Sequence, residues 1–245
     1  MSKMETFLSI ILPAHNEEKR LPDTLLQIEN FIKTQPYQVE VVIVENGSSD
    51  QTLRIAQKHA ETHPHTLVLH EDRPGKGLAV KQGMLAASGK YRFFCDVDFS
   101  MPIDQIPRFL PPNLLNVEIA IASREAKGAV RYDEPFYRHF VGRAFSIMVS
   151  LLALPGIKDT QCGFKCFSAE ATQKLFPLQT IHGWAFDVEI LAIARQLGYK
   201  ILEIPVPWYY MPQSKVNVIK DFMNTARELL KVRKIIRSRS YEKML

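Results

Sequence analysis

Two carboxylates one residue apart, Asp96 and Asp98, close an apolar run, Tyr91-Arg92-Phe93-Phe94-Cys95, that reads as a buried strand. Oxygen donors placed this way suit a hard divalent cation, Mg²⁺ or Mn²⁺, and such a cation often holds the diphosphate of an activated substrate. An Asp-x-Asp pair arises by chance in many chains, so its weight depends on what the fold gathers beside it. Gly75-Lys76-Gly77 precedes a helix-like stretch. There the glycines admit close backbone approach, and a lysine or a helix N-terminus attracts phosphate. Arg124, Arg131, Arg138 and Arg143 supply cations further on, and Asp159 and Asp187 supply further carboxylates.

These residues need elements to hold them. Strand-like runs cover Phe7 to Leu12, Val39 to Val44, Thr66 to Leu69, Tyr91 to Cys95 and Glu118 to Ala122. Helix-like stretches lie between them: Glu17 to Lys33, Asp50 to His63, Gly77 to Ala87 and Ile103 to Leu110. Near-continuous apolar strands alternating with amphipathic helices predict an α/β fold, a mostly parallel sheet flanked by helices on both faces. Ligands of such sheets sit beyond the carboxyl ends of the strands. Those ends carry Pro13 to Glu18, Glu45 to Thr52, Glu71 to Gly77, Asp96 to Asp98, and Ser123-Arg124. Five polar or turn-forming ends converge on one crevice. Each also has an ordinary use; Asp50, for instance, is a good helix N-cap.

The second half is less regular. Phe136 to Leu154 and Trp184 to Leu197 read as helices, Phe164 to Phe167 and Lys200 to Val206 as strands, and Val216 to Ile236 as a basic amphipathic helix. The apolar stretch from Ala144 to Leu154 is too short to span a bilayer. The net charge of +5 lies in the tail: Ser214 to Leu245 carries nine Lys/Arg against three Asp/Glu, a net +6 that leaves the remainder at −1. This points to an anionic surface as the tail's partner and away from a generally basic, nucleic-acid-binding protein. The division is residues 1–213 as a catalytic domain and 214–245 as a basic helix. Ile219, Phe222, Met223, Ala226, Leu229 and Leu230 form one apolar stripe on it. That stripe suits an anionic membrane surface and packing on the domain equally well. Cys95, Cys162 and Cys166 give an odd count, and Cys162 and Cys166 read as core thiols because two further zinc ligands are missing. With no signal-peptide pattern, a reduced cytoplasmic setting is expected, peripheral on the membrane face.

Taken together, Pro13-Ala14-His15-Asn16-Glu17-Glu18, Val44 to Thr52, Gly75-Lys76-Gly77, Asp96-Val97-Asp98, Asp159-Thr160-Gln161-Cys162-Gly163-Phe164-Lys165 and Trp184-Ala185-Phe186-Asp187-Val188-Glu189 resemble a family 2 glycosyltransferase of the GT-A, Rossmann-like fold. The likeness covers nearly the whole chain. It is greatest to the polyprenyl-phosphate (dolichyl-phosphate) glucosyl- and mannosyltransferases, and the last two segments point toward the glucosyl branch. Two departures stand out. The family often has Tyr at His15 and two aspartates at Glu45-Asn46. Many relatives also carry transmembrane helices, and none is legible here.

The resemblance implies that Pro13, Ala14, Asn16 and Glu17 contact base or ribose, that Glu45 accepts from them, and that Lys76, Asp96 and Val97 lie along the donor. It implies Asp98 as the direct metal ligand, with Asp96 and Ser100 assisting, Arg124 and Arg138 on an acceptor phosphate, and Asp159 and Asp187 near the sugar. Trp184 and Phe186 would wall that site. A lipid phosphate acceptor needs no general base, since its oxygen is already anionic; it needs cations that orient it for in-line attack. The leading expectation is metal-dependent, inverting transfer of a hexose, glucose favoured, from a nucleotide sugar (UDP-glucose or GDP-mannose) to a polyprenyl phosphate. GDP-mannose as donor and a hydroxyl acceptor, with Asp159 or Asp187 as base, are the alternatives. A nucleotidyltransferase and a non-catalytic nucleotide-sugar or membrane module are more distant ones.

Overall fold

Runs of β-branched and aromatic residues, bounded by Gly, Pro, Asn and Asp, form strands where the pattern places them. The computed structural model describes residues 5–211 and 218–238, without the side chains of 137–141, 144–145, 151, 218–224 and 238. Strands β1 (Leu8–Ala14), β2 (Val39–Asn46), β3 (Thr66–Glu71) and β4 (Tyr91–Cys95) alternate with helices α1 (Leu21–Lys33), α2 (Thr52–Thr62) and α3 (Lys76–Ala86). A 3-10 helix (Ile103–Phe109), β5 (Ile119–Ser123), β6 (Val130–Tyr132), α4 (Phe136–Leu152), β7 (Phe164–Ser168) and α5 (Ala169–Leu175) follow. A short 3-10 turn (Phe176–Leu178), α6 (Phe186–Gln196), β8 (Ile201–Pro205), β9 (Pro207–Tyr209) and α7 (Val218–Ser238) complete the described chain.

Seven strands form one sheet in the order β3-β2-β1-β4-β7-β5-β8. β1 pairs in parallel with β2 and β4, β2 with β3, and β5 with β8, while β7 runs antiparallel to β4 and β5. The carboxyl ends of β1 to β5 and β8 therefore share one edge. β7 brings its amino end there, where Phe164 faces Cys95. The chain steps outward from β1 through β2 to β3, then crosses back to add β4 on the other side of β1. Such a reversal opens a crevice beyond the strand ends.

Alternation along the strands builds a core on each face. Ile11, Val42, Val44, Phe94, Ile121 and Phe167 pack with α3, α5 and α6. Ile10, Leu12, Val41, Ile43, Phe93 and Phe164 pack with α1 and the 3-10 helix. Burial of both faces explains why β1, β2, β4 and β5 read as continuous apolar runs. Cys95, Cys162 and Cys166 are buried and free.

Several elements differ from expectation. The stretch expected as a helix from Ile103 to Leu110 is a 3-10 helix, Ile103–Phe109, because Pro107 inside it cannot donate the backbone bond an α-helix needs. α1 starts at Leu21 and not Glu17, since residues 17–20 form a turn in which Arg20 N–H reaches the Glu17 carbonyl at 3.0 Å. A two-stranded parallel ribbon of β6 and β9 was not foreseen. On α7, Leu229 and Val232 are fully buried and Ile235 and Ile236 pack against the core, whereas Leu230, assigned to the apolar stripe, is 59% exposed. Gln196 Nε2 donates to the Ile236 carbonyl at 2.7 Å. The side chains of Ile219, Phe222 and Met223 lie outside the described residues.

Candidate active site

The crevice beyond β1 and β4 has a volume of about 420 Å³, and Pro13, Ala14, Glu17, Lys76, Asp96 and Asp98 line it. His15, Arg20, Asn46 and Trp184 complete parts of its wall. Each strand end is braced by its neighbour. Beyond β1, Asn16 takes a positive φ of 55°, a conformation Asn tolerates better than most residues. Its backbone N–H donates to Ser48 Oγ at 2.9 Å, and its Oδ1 accepts from Ser49 N at 2.8 Å. Glu17 N–H donates to Thr52 Oγ1 at 2.7 Å, and Glu18 N–H to Asp50 Oδ2 at 3.2 Å. Asp50 also accepts from Thr52 N at 3.0 Å, so it ties the β1 loop to the start of α2. His15 Nδ1 donates to the Asn46 carbonyl at 2.6 Å, which leaves Nε2 to accept from Asn16 Nδ2 at 3.1 Å.

Glu45 and Asn46, where the sequence departs from the family, differ in what they do. Glu45 is buried; one oxygen accepts from Ser48 N and the other pairs with His70 Nδ1, each at 2.5 Å. Hydrogen bonds that His70 donates to Glu45 and Asp72 raise its pKa. Asn46 reaches the loop after β3: Nδ2 donates to the Arg73 carbonyl at 2.5 Å, and Oδ1 accepts from Gly75 N at 2.8 Å. That loop carries Lys76. Gly75 has φ +151°, and a Cβ there would lie 2.6 Å from the His182 carbonyl oxygen, so the tight approach requires glycine.

Lys76 Nζ lies 2.6 Å from Asp96 Oδ1 and 5.1 Å from the centroid of the Trp184 ring. Burial works against its charge, but Asp96, Asp187 and Asp98 outweigh burial and hold its pKa above the ordinary lysine value. Asp96 N–H bonds the Gly163 carbonyl at 3.0 Å, which fixes the end of β4 to the start of β7. A Cβ on Gly163 would fall 2.0 Å from Asp96 Oδ2, so only glycine leaves that carboxylate its position. Asp98 Oδ1 accepts from Ser100 N at 3.0 Å, and its Oδ2 is 3.9 Å from Arg20, which also holds Glu17 by two bonds of 2.7 and 2.8 Å. Burial first, then the Asp96 charge, raises the Asp98 pKa against the pull of Ser100 and Arg20. The turn behind it is strained, with Phe99 at φ 41°. A carboxylate raised by burial and a like charge fits a hard cation, because such a cation neutralises both.

The remaining carboxylates are committed to cations. Arg124 grips Asp159 with Nε and Nη2 at 2.7 and 2.9 Å, and its backbone N–H adds a third bond at 2.9 Å. Burial would raise Asp159, but the charge and hydrogen bonds of Arg124 bring it down to about 2. In the same way burial opposes the Arg124 charge, yet Asp159 raises its pKa. Asp187 accepts from Lys165 Nζ at 2.6 Å; both are almost fully buried, and Lys165 also donates to the Cys162 carbonyl at 2.6 Å. Burial raises the Asp187 pKa and outweighs Lys165 and Lys76. Arg131 pairs with Glu125 and Glu134, and both it and Arg124 lie against the Trp208 ring, with Cζ to centroid distances of 5.8 and 5.7 Å. Arg138 sits on α4, and its side chain lies outside the described residues.

The crevice thus gathers Pro13, Ala14, Glu17, Lys76, Asp96, Val97, Asp98 and Trp184, with Asn16 and Ser100 at its edges. Phe186 does not join Trp184 as a wall: it is buried and packs 5.8 Å from Phe94. Sequence reasoning assigned no role to Arg20, Asn46 or Lys165. Lys165 had a visible signal, a charged residue inside the apolar strand Phe164-Lys165-Cys166-Phe167, which must find a partner when buried.

Residues 9–176 match the glycosyl transferase family 2 profile. A dolichyl-phosphate beta-glucosyltransferase of Dictyostelium discoideum is 33% identical over 242 residues, covering 93% of this chain and 74% of that protein. The protein of the same description from Homo sapiens is 32% identical over 243 residues, 92% of this chain and 74% of its own length. Among solved structures, glucosyl-3-phosphoglycerate synthase from Mycobacterium tuberculosis, in complex with Mn²⁺, uridine-diphosphate-glucose and phosphoglyceric acid, matches with a TM-score of 0.71. It is 17% identical and covers 94% of this chain and 80% of that one. At that identity the likeness speaks for the GT-A fold. The chain belongs to glycosyl transferase family 2 and is a hexosyltransferase similar to the dolichyl-phosphate beta-glucosyltransferases.

Proposed function

We propose that this protein transfers glucose from UDP-glucose to a polyprenyl phosphate of the dolichyl type, with inversion at the anomeric carbon. The observation that carries the reading is the state of Asp159 and Asp187. Each is buried and locked to a cation, Asp159 to the partly exposed Arg124 and Asp187 to the buried Lys165. A hydroxyl acceptor would need one of them as general base. A phosphate acceptor arrives as an anion and needs no proton removed. The names of the similar proteins agree with this choice.

In this reading Pro13, Ala14, Asn16 and Glu17 border the nucleoside. Glu45 acts indirectly, since its oxygens are occupied by Ser48 and His70. Asp98 and Asp96 would hold Mg²⁺ or Mn²⁺, which would supply charge neutralisation on the leaving diphosphate. Lys76 exchanges Asp96 for a diphosphate oxygen as the donor enters. Arg124, fixed by Asp159, turns its remaining edge and the Trp208 platform toward the acceptor phosphate, and Arg138 joins it. A phosphate oxygen then forms a bond to the anomeric carbon while that carbon's bond to the diphosphate oxygen breaks, and UDP leaves with the electron pair.

The outer face of α7 offers a basic groove of about 450 Å³ lined by Leu230, Arg233, Lys234 and Arg237. Among the described residues no helix is long and apolar enough to cross a membrane. We therefore place residues 1–213 and α7 together as a peripheral protein, with α7 packed on α6 and its basic face toward anionic lipid on the cytoplasmic side. The test is incubation with polyprenyl phosphate, Mn²⁺ or Mg²⁺ and a panel of nucleotide sugars, followed by mass spectrometry of the lipid. A hexosyl-phospholipid formed from UDP-glucose supports the proposal. Transfer from GDP-mannose alone, or to a hydroxyl acceptor without lipid phosphate, would overturn it.

A further inference from the structure

At the opposite edge of the sheet from the crevice, Glu29 of α1 meets three histidines. His59 and His63 come from the C-terminal end of α2, and His65 stands just before β3. His59 Nε2 is 3.1 Å from Glu29 Oε1, His65 Nε2 is 3.0 Å from the same oxygen, and His63 Nε2 is 3.8 Å from Oε2. The His59 and His63 rings stack with centroids 3.9 Å apart. Donor atoms of Glu29, His59 and His63 all lie within 4.8 Å of one another. Thr52, whose Oγ1 holds the Glu17 backbone at the crevice, and His63 are eleven positions apart along α2, about 16 Å at about 1.5 Å per residue. The cluster is thus separate from the donor site.

The tautomers matter. With its proton on Nδ1, His63 donates to the His59 carbonyl oxygen 2.9 Å away, and Thr62 Oγ1 lies 2.9 Å from the same nitrogen. In the neutral ring Nε2 then turns a lone pair toward a carboxylate oxygen. Such an inner hydrogen bond from Nδ1 to a carbonyl is also what orients metal-bound imidazoles. His59 Nε2 donates to Glu29 Oε1 at 3.1 Å, so a metal entering here would displace that proton and gather this nitrogen, His63 Nε2 and the carboxylate around itself.

We infer that Glu29, His59 and His63 form a binding site for a borderline divalent metal, Zn²⁺ foremost, with His65 orienting the carboxylate through Oε1. Nitrogen and oxygen donors in a set of three suit four-coordinate Zn²⁺ with water in the last position. Mg²⁺, which prefers an all-oxygen shell, does not compete there. The site clamps α1, α2 and the start of β3, so its role is structural or regulatory, remote from the transfer chemistry.

The test uses untagged, metal-free protein in excess Mg²⁺, which occupies the oxygen site at Asp96 and Asp98. Co²⁺ is titrated as a visible-absorption probe and then displaced by Zn²⁺, with calorimetry for stoichiometry. One equivalent of Zn²⁺ and a four-coordinate Co²⁺ band are expected. Glu29→Gln, His59→Ala and the half-exposed His63→Gln should each weaken binding by at least about tenfold, and His65→Ala by a similar factor through the carboxylate. Asp98→Asn should leave the band intact. Circular dichroism melts without metal establish that each variant is folded. Absence of stoichiometric Zn²⁺ binding by the unaltered protein, unchanged binding in folded His59→Ala and Glu29→Gln, or loss in Asp98→Asn alone would overturn the assignment.

Discussion

Two lysine–aspartate pairs share an Nζ–Oδ1 distance of 2.6 Å and differ in everything around it. Lys165 and Asp187 are 1% and 4% exposed, whereas Lys76 and Asp96 are 16% and 32% exposed on the crevice wall. The inner lysine also donates to the Cys162 carbonyl and lies 5.0 Å from the Phe94 ring centroid. The outer one packs against Trp184 at the mouth. One geometry therefore serves two purposes. The inner pair fixes α6 to β7, and breaking it strands a charge in the core. The outer pair can trade its carboxylate for a ligand oxygen, because water and substrate reach it.

The comparison breaks most visibly at Asp187. Asp187→Ala leaves Lys165 buried and uncompensated, so urea denaturation should register a loss of about 3–5 kcal/mol. Replacing both partners, Lys165→Met with Asp187→Leu, should recover most of that loss. A single-variant loss below about 1 kcal/mol would mean the inner pair is no tighter than the outer one. At the crevice, Lys76→Ala should change stability by about 1 kcal/mol or less but lower kcat/KM for UDP-glucose on the order of 10²-fold. Steady-state kinetics beside thermal melts separates the two readouts.

The Arg124–Asp159 pair lies between these cases and sharpens them through pH. Asp159 falls from 3.8 to about 2, a stabilisation of about 2 kcal/mol. Because the folded value is depressed, that contribution is complete well above pH 3.8 and is lost as pH falls through about 2. The stability gap between the unaltered protein and Asp159→Asn should be flat from about pH 5 to 8 and should narrow below about pH 4. A gap that varied near neutral pH would contradict the assignment.

The donor side of the molecule was legible in the sequence because its determinants are local. β1, β2 and β4 are near-continuous apolar runs, and Asp96, Asp98 and Lys76 stand within three residues of an element end. The acceptor side was not. Arg124 and Asp159 are 35 residues apart, and Lys165 and Asp187 are 22 apart. No periodicity reveals that they pair. β6 and β9 are each three residues long, too short for alternation to mark. β7 was visible as a strand, yet its antiparallel direction, which brings Gly163 against Asp96, follows only from tertiary pairing. The Glu29 cluster escaped notice for the same reason: His59 and His63 are spaced for one helix face, but the carboxylate comes from another helix.

The most direct test of the account is Asp98→Asn, assayed for glucosyl transfer from UDP-glucose to polyprenyl phosphate with Mn²⁺ and melted without metal. Asp98 is raised in pKa by burial and by Asp96. Removing its charge should therefore leave the metal-free protein as stable as before, or more so, while transfer falls on the order of 10²–10³-fold. Undiminished transfer in a folded Asp98→Asn protein would contradict the role assigned to this carboxylate and the reading of the crevice built on it.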